Sequence, residues 1–190
     1  LYATLLAEIV RRNDLDPQQI EDVITGCVTQ AGEQAGNIGR HAVLASGLPE
    51  TVPAVTLDRK CGSSQQAMDF AAQGIIAGAS DLVIAGGVEM MGQIPARTNR
   101  IGRDAFGPAG HARYPQGLVN QGVSAELIAA RWELSRQDQD AFAFRSHERA
   151  AAAEDAGSTL KDMLALSWWD ERGEQTLARD EGVRRDTSME

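Results

Sequence analysis

Leu1, Leu5, Leu6, Ile9 and Val10 recur at helical spacing, so residues 1–13 predict an amphipathic helix. Asp16-Pro17 pairs an N-cap residue with proline at the first helical position and predicts a short helical turn. The β-branched run Asp22-Val23-Ile24-Thr25-Gly26-Cys27-Val28 predicts a strand. A helix is expected from about Asn37 to Ser46, with Gly47 as its left-handed stop. Ala54-Val55-Thr56-Leu57 predicts a second strand. A helix from about Gly62 to Ala77 follows, its stripe made by Ala67, Met68, Ala71, Ala72, Ile75 and Ile76. Asp81-Leu82-Val83-Ile84-Ala85 predicts a third strand that runs into Gly86-Gly87. Its uninterrupted apolar character suits a sheet covered on both faces, and strand–helix–strand units of this length imply parallel neighbours.

The pattern changes near residue 92. Residues 92–122 are rich in glycine and proline and predict a long loop, the kind that is functional or mobile in compact domains. Residues 123–156 look helical, and Ser135-Arg136-Gln137-Asp138 has capping-box spacing. Residues 157–190 form a polar tail whose one large apolar feature is Trp168-Trp169. The expected division is therefore 1–91, an α/β domain, and 92–190, a loop-and-helix region. The chain opens at Leu1 already inside a helical pattern and stops at Glu190 without a closing element, so it reads as part of a longer polypeptide.

Charge removes some functions. Eighteen Lys and Arg against 27 Asp and Glu leave a net charge of −9, which argues against a nucleic-acid backbone as partner. No run approaches the apolar length of a membrane span, and no signal peptide is visible at the start. Two cysteines are too few for a disulfide scaffold or a zinc site, and a cytoplasmic, reducing setting is the expectation.

Cys61 is the principal candidate for chemistry. It follows a strand and stands immediately before a helix that opens with Gly62, Ser63 and Ser64. A helix start presents unpaired N–H groups and a partial positive charge, which favours an anionic sulfur nucleophile. Gly62 removes a side chain that would crowd an incoming substrate. The competing reading is a buried structural thiol. Cys27, inside an apolar strand, reads as structural. His41, His111 and His147 have no metal-ligand spacing and read as surface or packing residues. Gly86-Gly87 admits two readings, a ligand-approach turn or tight packing of strand end on helix. Glu89 is either a hydrogen-bonded carboxylate at that turn or a solvated charge. Trp168-Trp169 reads as a hydrophobic anchor.

These residues carry a family likeness. Val55-Thr56-Leu57-Asp58-Arg59-Lys60-Cys61-Gly62-Ser63-Ser64-Gln65-Gln66-Ala67 resembles the nucleophile segment of thiolases, the acetyl-CoA acetyltransferase and 3-ketoacyl-CoA thiolase family. The stretch from Ala79 to Met91 resembles the strand and turn that follow it there. Segments at Gly26–Gln34, Gly47-Leu48-Pro49 and Ser135–Ala143 fit in the same order.

The resemblance implies a layered α/β/α/β/α fold built from two similar halves, of which this chain is an incomplete N-terminal half. It implies an acyltransferase in which Cys61 carries the acyl group of a 3-ketoacyl-CoA, in cleavage or condensation. Acyl-CoA and CoA are then substrates, with no separate cofactor and no metal, and the full-length protein is a homodimer or homotetramer. Gly62 and Gln121 are the implied substrate-binding positions. There are departures. The family's Gly-His-Pro, Cys-x-Gly and Asn-Glu-Ala-Phe segments do not occur, so the chain alone is expected to be nearly inactive. Ser64 stands where glycine is usual, and Val119–Glu126 replaces a His-Met-Gly segment. The family's first strand, ahead of Leu1, is expected in the middle of the sheet, which would leave a sheet edge unpaired. The alternatives are a ketoacyl synthase-type condensing enzyme and a non-catalytic thiolase-like partner subunit.

Overall fold

The computed structural model describes residues 1–189. Helix α1 (Tyr2–Arg12) forms on the expected pattern. Tyr2 and Leu6 are buried, and Arg11 and Arg12 both reach Glu8. Its basic last turn suits the negative end of the helix dipole. Asp16 caps the short 3-10 turn Pro17–Gln19 by accepting from the Gln18 N–H. Strand β1 (Asp22–Gly26) leads to helix α2 (Ile38–Ser46), which Asn37 caps and Gly47 ends at φ 85°. Strand β2 (Ala54–Leu57), helix α3 (Ser63–Ile76) and strand β3 (Val83–Gly87) follow.

The three strands are parallel, in the order β2-β1-β3, with Gly26 opposite both Leu57 and Gly87. Successive strand side chains point to opposite faces. Val23 and Ile84 therefore join Tyr2, Leu6, Ala42 and Val43 beneath α1 and α2. Ile24 joins Ala67 and Ala71 beneath α3, with Leu57, Val83 and Ala85 at its rim. This is a three-layer α/β/α unit. Each fully buried side chain such as Leu6 or Val43 contributes roughly 1.5–3 kcal/mol relative to exposure. The expectation of a further strand in the middle of this sheet is corrected here. β1 pairs directly with β3 over Asp22–Gly26 and with β2 over Val23–Gly26, so another strand has room only at an outer edge.

The chain divides into two compact units, Leu1–Gly107 and Pro108–Glu190. Segment 92–122 is more ordered than a plain loop. It holds a 3-10 turn at Thr98–Arg100 and helix α4 (Gly107–Arg113), with Pro108 in the helix's first turn. In the second unit, helix α5 (Gln121–Arg131) is capped by Asn120, which accepts from the Val123 N–H. Helix α6 (Arg136–Asp155) opens on the Ser135–Asp138 capping box. The expected helical stretch is thus two helices, broken where Glu133 turns left-handed at φ 55°. The polar tail contains an antiparallel hairpin of β4 (Leu166–Asp170) and β5 (Gly173–Leu177). The Asp170 carboxylate accepts from the Arg172 N–H in its turn, and Gly173 takes φ 100°. Among the described residues, no helix is long and apolar enough to cross a membrane.

Candidate active site

Because the strands are parallel, the segments that leave β1, β2 and β3 emerge at one edge of the sheet. Ligands of open α/β sheets bind outside this carboxyl edge. Cys61, Cys27 and Glu89 all lie in those exit segments.

The segment after β2 makes a tight turn into α3. Asp58 Oδ1 accepts from the Lys60 N–H at 2.7 Å, and the Lys60 ammonium pairs with Asp58 Oδ2. Partial burial by itself pushes Asp58 up, but the bonds from Lys60 hold its carboxyl below the ordinary value. Lys60 is left-handed at φ 51°, an unfavourable conformation for an L-residue. Ser63, only 4% exposed, braces the inside of the turn. Its Oγ accepts from the Arg59 N–H at 2.9 Å and donates to the Lys60 carbonyl at 2.6 Å. Cys61 comes next, exposed, directly before Gly62, the N-cap residue of α3. The buried structural reading of this thiol does not hold.

Gly62 is not required by packing within the chain. A β-carbon there would meet only the Arg59 carbonyl, at an ordinary 3.5 Å. Two other glycines are required. A β-carbon on Gly26 would stand 2.6 Å from both the Ser63 carbonyl carbon and the Ser64 nitrogen. One on Gly87 would run into Ser64 Oγ and stand 2.7 Å from the Gly26 carbonyl oxygen. The ends of β1 and β3 are therefore bare so that the first turn of α3 can rest on them. Of the two readings of Gly86-Gly87, tight strand–helix packing accounts for Gly87. Ser64 fits because Gly87 has no side chain.

Glu89 is the hydrogen-bonded carboxylate. It accepts from the N–H groups of Val28 (2.8 Å) and Thr29 (3.2 Å), and from Gln34 Nε2 (3.2 Å). Gln34, 3% exposed, also donates to the Thr29 carbonyl and accepts from the Met90 N–H. Burial alone would raise Glu89. The Val28, Gln34 and Thr29 bonds outweigh it and hold the carboxyl below its ordinary value. This network ties the exit of β1 to the exit of β3. Cys27 sits beneath it at 1% exposure, its thiol pushed up to about 11 by burial and by the Glu89 and Asp58 charges. Its role is structural.

Gln121 is the first residue of α5, exposed, in the second unit. His41 lies on α2, His111 on α4 and His147 on α6, where its Nδ1 accepts from the Arg184 N–H. Sequence reasoning missed Asp58, Ser63, Gly26 and Gln34 as supports of the site. The Asp-x-Lys spacing ahead of Cys61 was an available turn signal. The contacts of Gly26 and Gln34 join distant parts of the chain and have no local signature.

The model of the thiolase N-terminal domain matches residues 1–190. The chain belongs to the thiolase family. It is 43% identical, over 83% of its length, to a steroid 3-ketoacyl-CoA thiolase of Mycobacterium tuberculosis, and covers 41% of that protein. It is 43% identical over its whole length to a 3-ketoacyl-CoA thiolase of a Shewanella species, covering 49% of it. The crystal structure of the Bacillus anthracis acetyl-CoA acetyltransferase superposes with a TM-score of 0.83 at 31% identity, over 98% of this chain and 49% of that one. The fold is thus the expected thiolase-like α/β fold, and the chain spans about half the length of the thiolases it matches.

Proposed function

We propose that this thiolase-family chain carries the nucleophile of a reversible 3-ketoacyl-CoA acyltransferase, with Cys61 as the residue that takes up the acyl group. The observation that carries the reading is the placement of Cys61: exposed, at the carboxyl edge of a parallel sheet, one residue before the N-cap of α3. The names of the relatives point to the same substrate class.

In the cleavage direction, the Cys61 sulfur attacks the 3-keto carbon. A carbon–sulfur bond forms and the C2–C3 bond breaks. Its electron pair stays on C2, which takes a proton and leaves as acetyl-CoA. The CoA thiol then attacks the acyl-Cys61 carbonyl, and the thioester to CoA forms as the bond to Cys61 Sγ breaks. Condensation runs the same steps backward. A covalent intermediate divides one difficult displacement into two. Gly62 leaves the approach to the sulfur open, and Gln121 is a substrate contact in this reading. The acid–base groups of the reaction belong to the Gly-His-Pro and Cys-x-Gly segments, which residues 1–190 lack. The chain alone is therefore expected to acylate slowly and not to turn over. The complete protein, on this reading, is a cytoplasmic homodimer or homotetramer.

Incubation of the folded chain with excess acetyl-CoA, followed by intact-mass measurement and peptide mapping, tests the reading. An acetyl adduct on Cys61, lost in Cys61→Ala, is the expected result. A chain that never acylates while Cys61 remains open to alkylation overturns it and leaves a non-catalytic thiolase-like subunit.

A further inference from the structure

We propose that Ser63 is a positioning residue for the nucleophile, its side-chain hydroxyl fixing the orientation of Cys61. This rests on the role of Cys61 given above.

The hydroxyl uses both of its hydrogen-bonding capacities on the turn. It accepts from the Arg59 N–H on the near side of Lys60 and donates to the Lys60 carbonyl on the far side. The Lys60 carbonyl also accepts from the Ser63 N–H at 3.0 Å. That carbonyl belongs to the peptide plane joining Lys60 to Cys61, and a peptide is rigid about its C–N bond. Two donors on one carbonyl therefore set the plane from which the Cys61 α-carbon, and then its sulfur, projects. Lys60 supplies the need for such a clamp. Its left-handed φ of 51° disfavours the turn, which persists only where surrounding bonds hold it.

Ser63 is placed to do this by packing as well. Its side chain does not cap α3, whose N-cap Gly62 makes no side-chain bond. It points back into the turn, with the bare face of Gly26 behind it. A β-carbon on Gly26 would lie 2.9 Å from Ser63 Cβ. Asp58 holds the outer, more exposed side of the same turn, so Ser63 is its buried brace.

The test compares the full chain with Ser63→Ala and Ser63→Thr by the rate of acetyl transfer from acetyl-CoA to Cys61 across acetyl-CoA concentrations. Iodoacetamide alkylation of Cys61 is measured in parallel. In folded Ser63→Ala, the maximal acylation rate is expected to fall about tenfold or more with the half-saturating concentration little changed, as misplacement of a reacting atom predicts. Alkylation is expected to change as well, and Ser63→Thr, which restores the hydroxyl, to recover the rate. Should Ser63→Ala fail to fold, Lys60→Gly and Lys60→Gly/Ser63→Ala make the same comparison on a turn that glycine adopts without strain. Equal acylation and alkylation rates with and without the hydroxyl, whatever happens to the melting temperature, overturn the proposal. A wild-type chain that alkylates at Cys61 but never acylates sinks the acyl-transfer reading instead. The alkylation comparison then still decides the role of Ser63.

Discussion

Gly26 and Ser63 meet where the end of β1 supports the start of α3, with no room between them for one more carbon. A β-carbon on Gly26 would fall 2.6 Å from the Ser63 carbonyl carbon and 2.9 Å from Ser63 Cβ. The first of these is backbone and cannot swing away. The sheet edge therefore acts as a seat for the turn that carries Cys61. Gly26→Ala is expected to lose about 1–3 kcal/mol of stability, as overpacking of a filled site does. It is also expected to alter the alkylation rate of Cys61 well below the unfolding transition. Urea melts and timed alkylation check both, and an unchanged rate in the folded variant would show that the seat does not position the thiol.

Glu89 makes the stability of the first unit sensitive to acid. Its folded value lies below the ordinary 4.5, because the Val28, Gln34 and Thr29 bonds outweigh the opposing effect of burial. A carboxyl depressed on folding contributes stability that is fully present above its unfolded value and is lost as pH falls through the folded one. Stability should therefore hold from neutral pH down to about 4.5 and decline below it. Glu89→Gln removes the charge from these bonds and is expected to lower stability at pH 7 by about 1.5–3 kcal/mol. It should also flatten the acid limb. Urea midpoints measured from pH 7 to pH 3 for both proteins test this, and parallel acid limbs would exclude Glu89 as their source.

Periodicity made much of the first unit legible. Leu6 and Val23 are buried on the faces that helical and strand spacing assign to them, and Asp16, Asn37 and Gly47 stand at helix ends as their residue types suggest. Cys61 as candidate nucleophile could be read from the segment Val55–Ala67, and the fold family from that segment together with Ala79–Met91 and the shorter matching segments in the same order. What could not be read depends on contacts between distant residues. Gly87 reads as a ligand turn or a packing site until Ser64 is seen against it. Glu89 reads either as a hydrogen-bonded carboxylate or as a solvated charge until Val28 and Gln34, which follow the neighbouring strand β1, are seen bonded to it. The β4–β5 hairpin escaped because its strands are largely exposed and lack an alternating apolar face. The place expected for a further strand, in the middle of the sheet, came from the family likeness rather than from any residue here. The β1–β3 register closes it.

The two thiols should separate in reactivity. Cys61 is exposed, whereas Cys27 is 1% exposed with its thiol raised to about 11, so at pH 8 Cys27 is a protonated, shielded group. Brief iodoacetamide treatment of the native chain is expected to add one label, at Cys61, and a second only in denaturant. Cys61→Ala should take up none until unfolded. Two labels entering at similar rates in the native chain would show that the roof over Cys27, made by Glu89 and the Val28–Thr29 segment, opens readily.

Helix α6 should depend unusually on its cap. None of its residues is buried, so tertiary packing offers it little, and isolated helices are marginal without such packing. Its C-terminal half is tied to the tail by Arg184 and Arg185, which bond to His147, Glu154 and Asp155, whereas its first turn rests on the reciprocal pair at its start. The Asp138 N–H donates to Ser135 Oγ at 3.1 Å, and the Ser135 N–H donates to Asp138 Oδ2 at 3.1 Å. Ser135→Ala removes the first bond and weakens the geometry of the second, a loss typically of about 1 kcal/mol. The expected result is a smaller helical signal at 222 nm and faster amide exchange across Arg136–Asp140. Cys61 alkylation, which reports on the other unit, should be unchanged. Ser135→Asn, which can still accept from the helix start, should restore most of the signal. Full helicity and unchanged exchange across Arg136–Asp140 in Ser135→Ala would mean that the cap does not hold the first turns of α6.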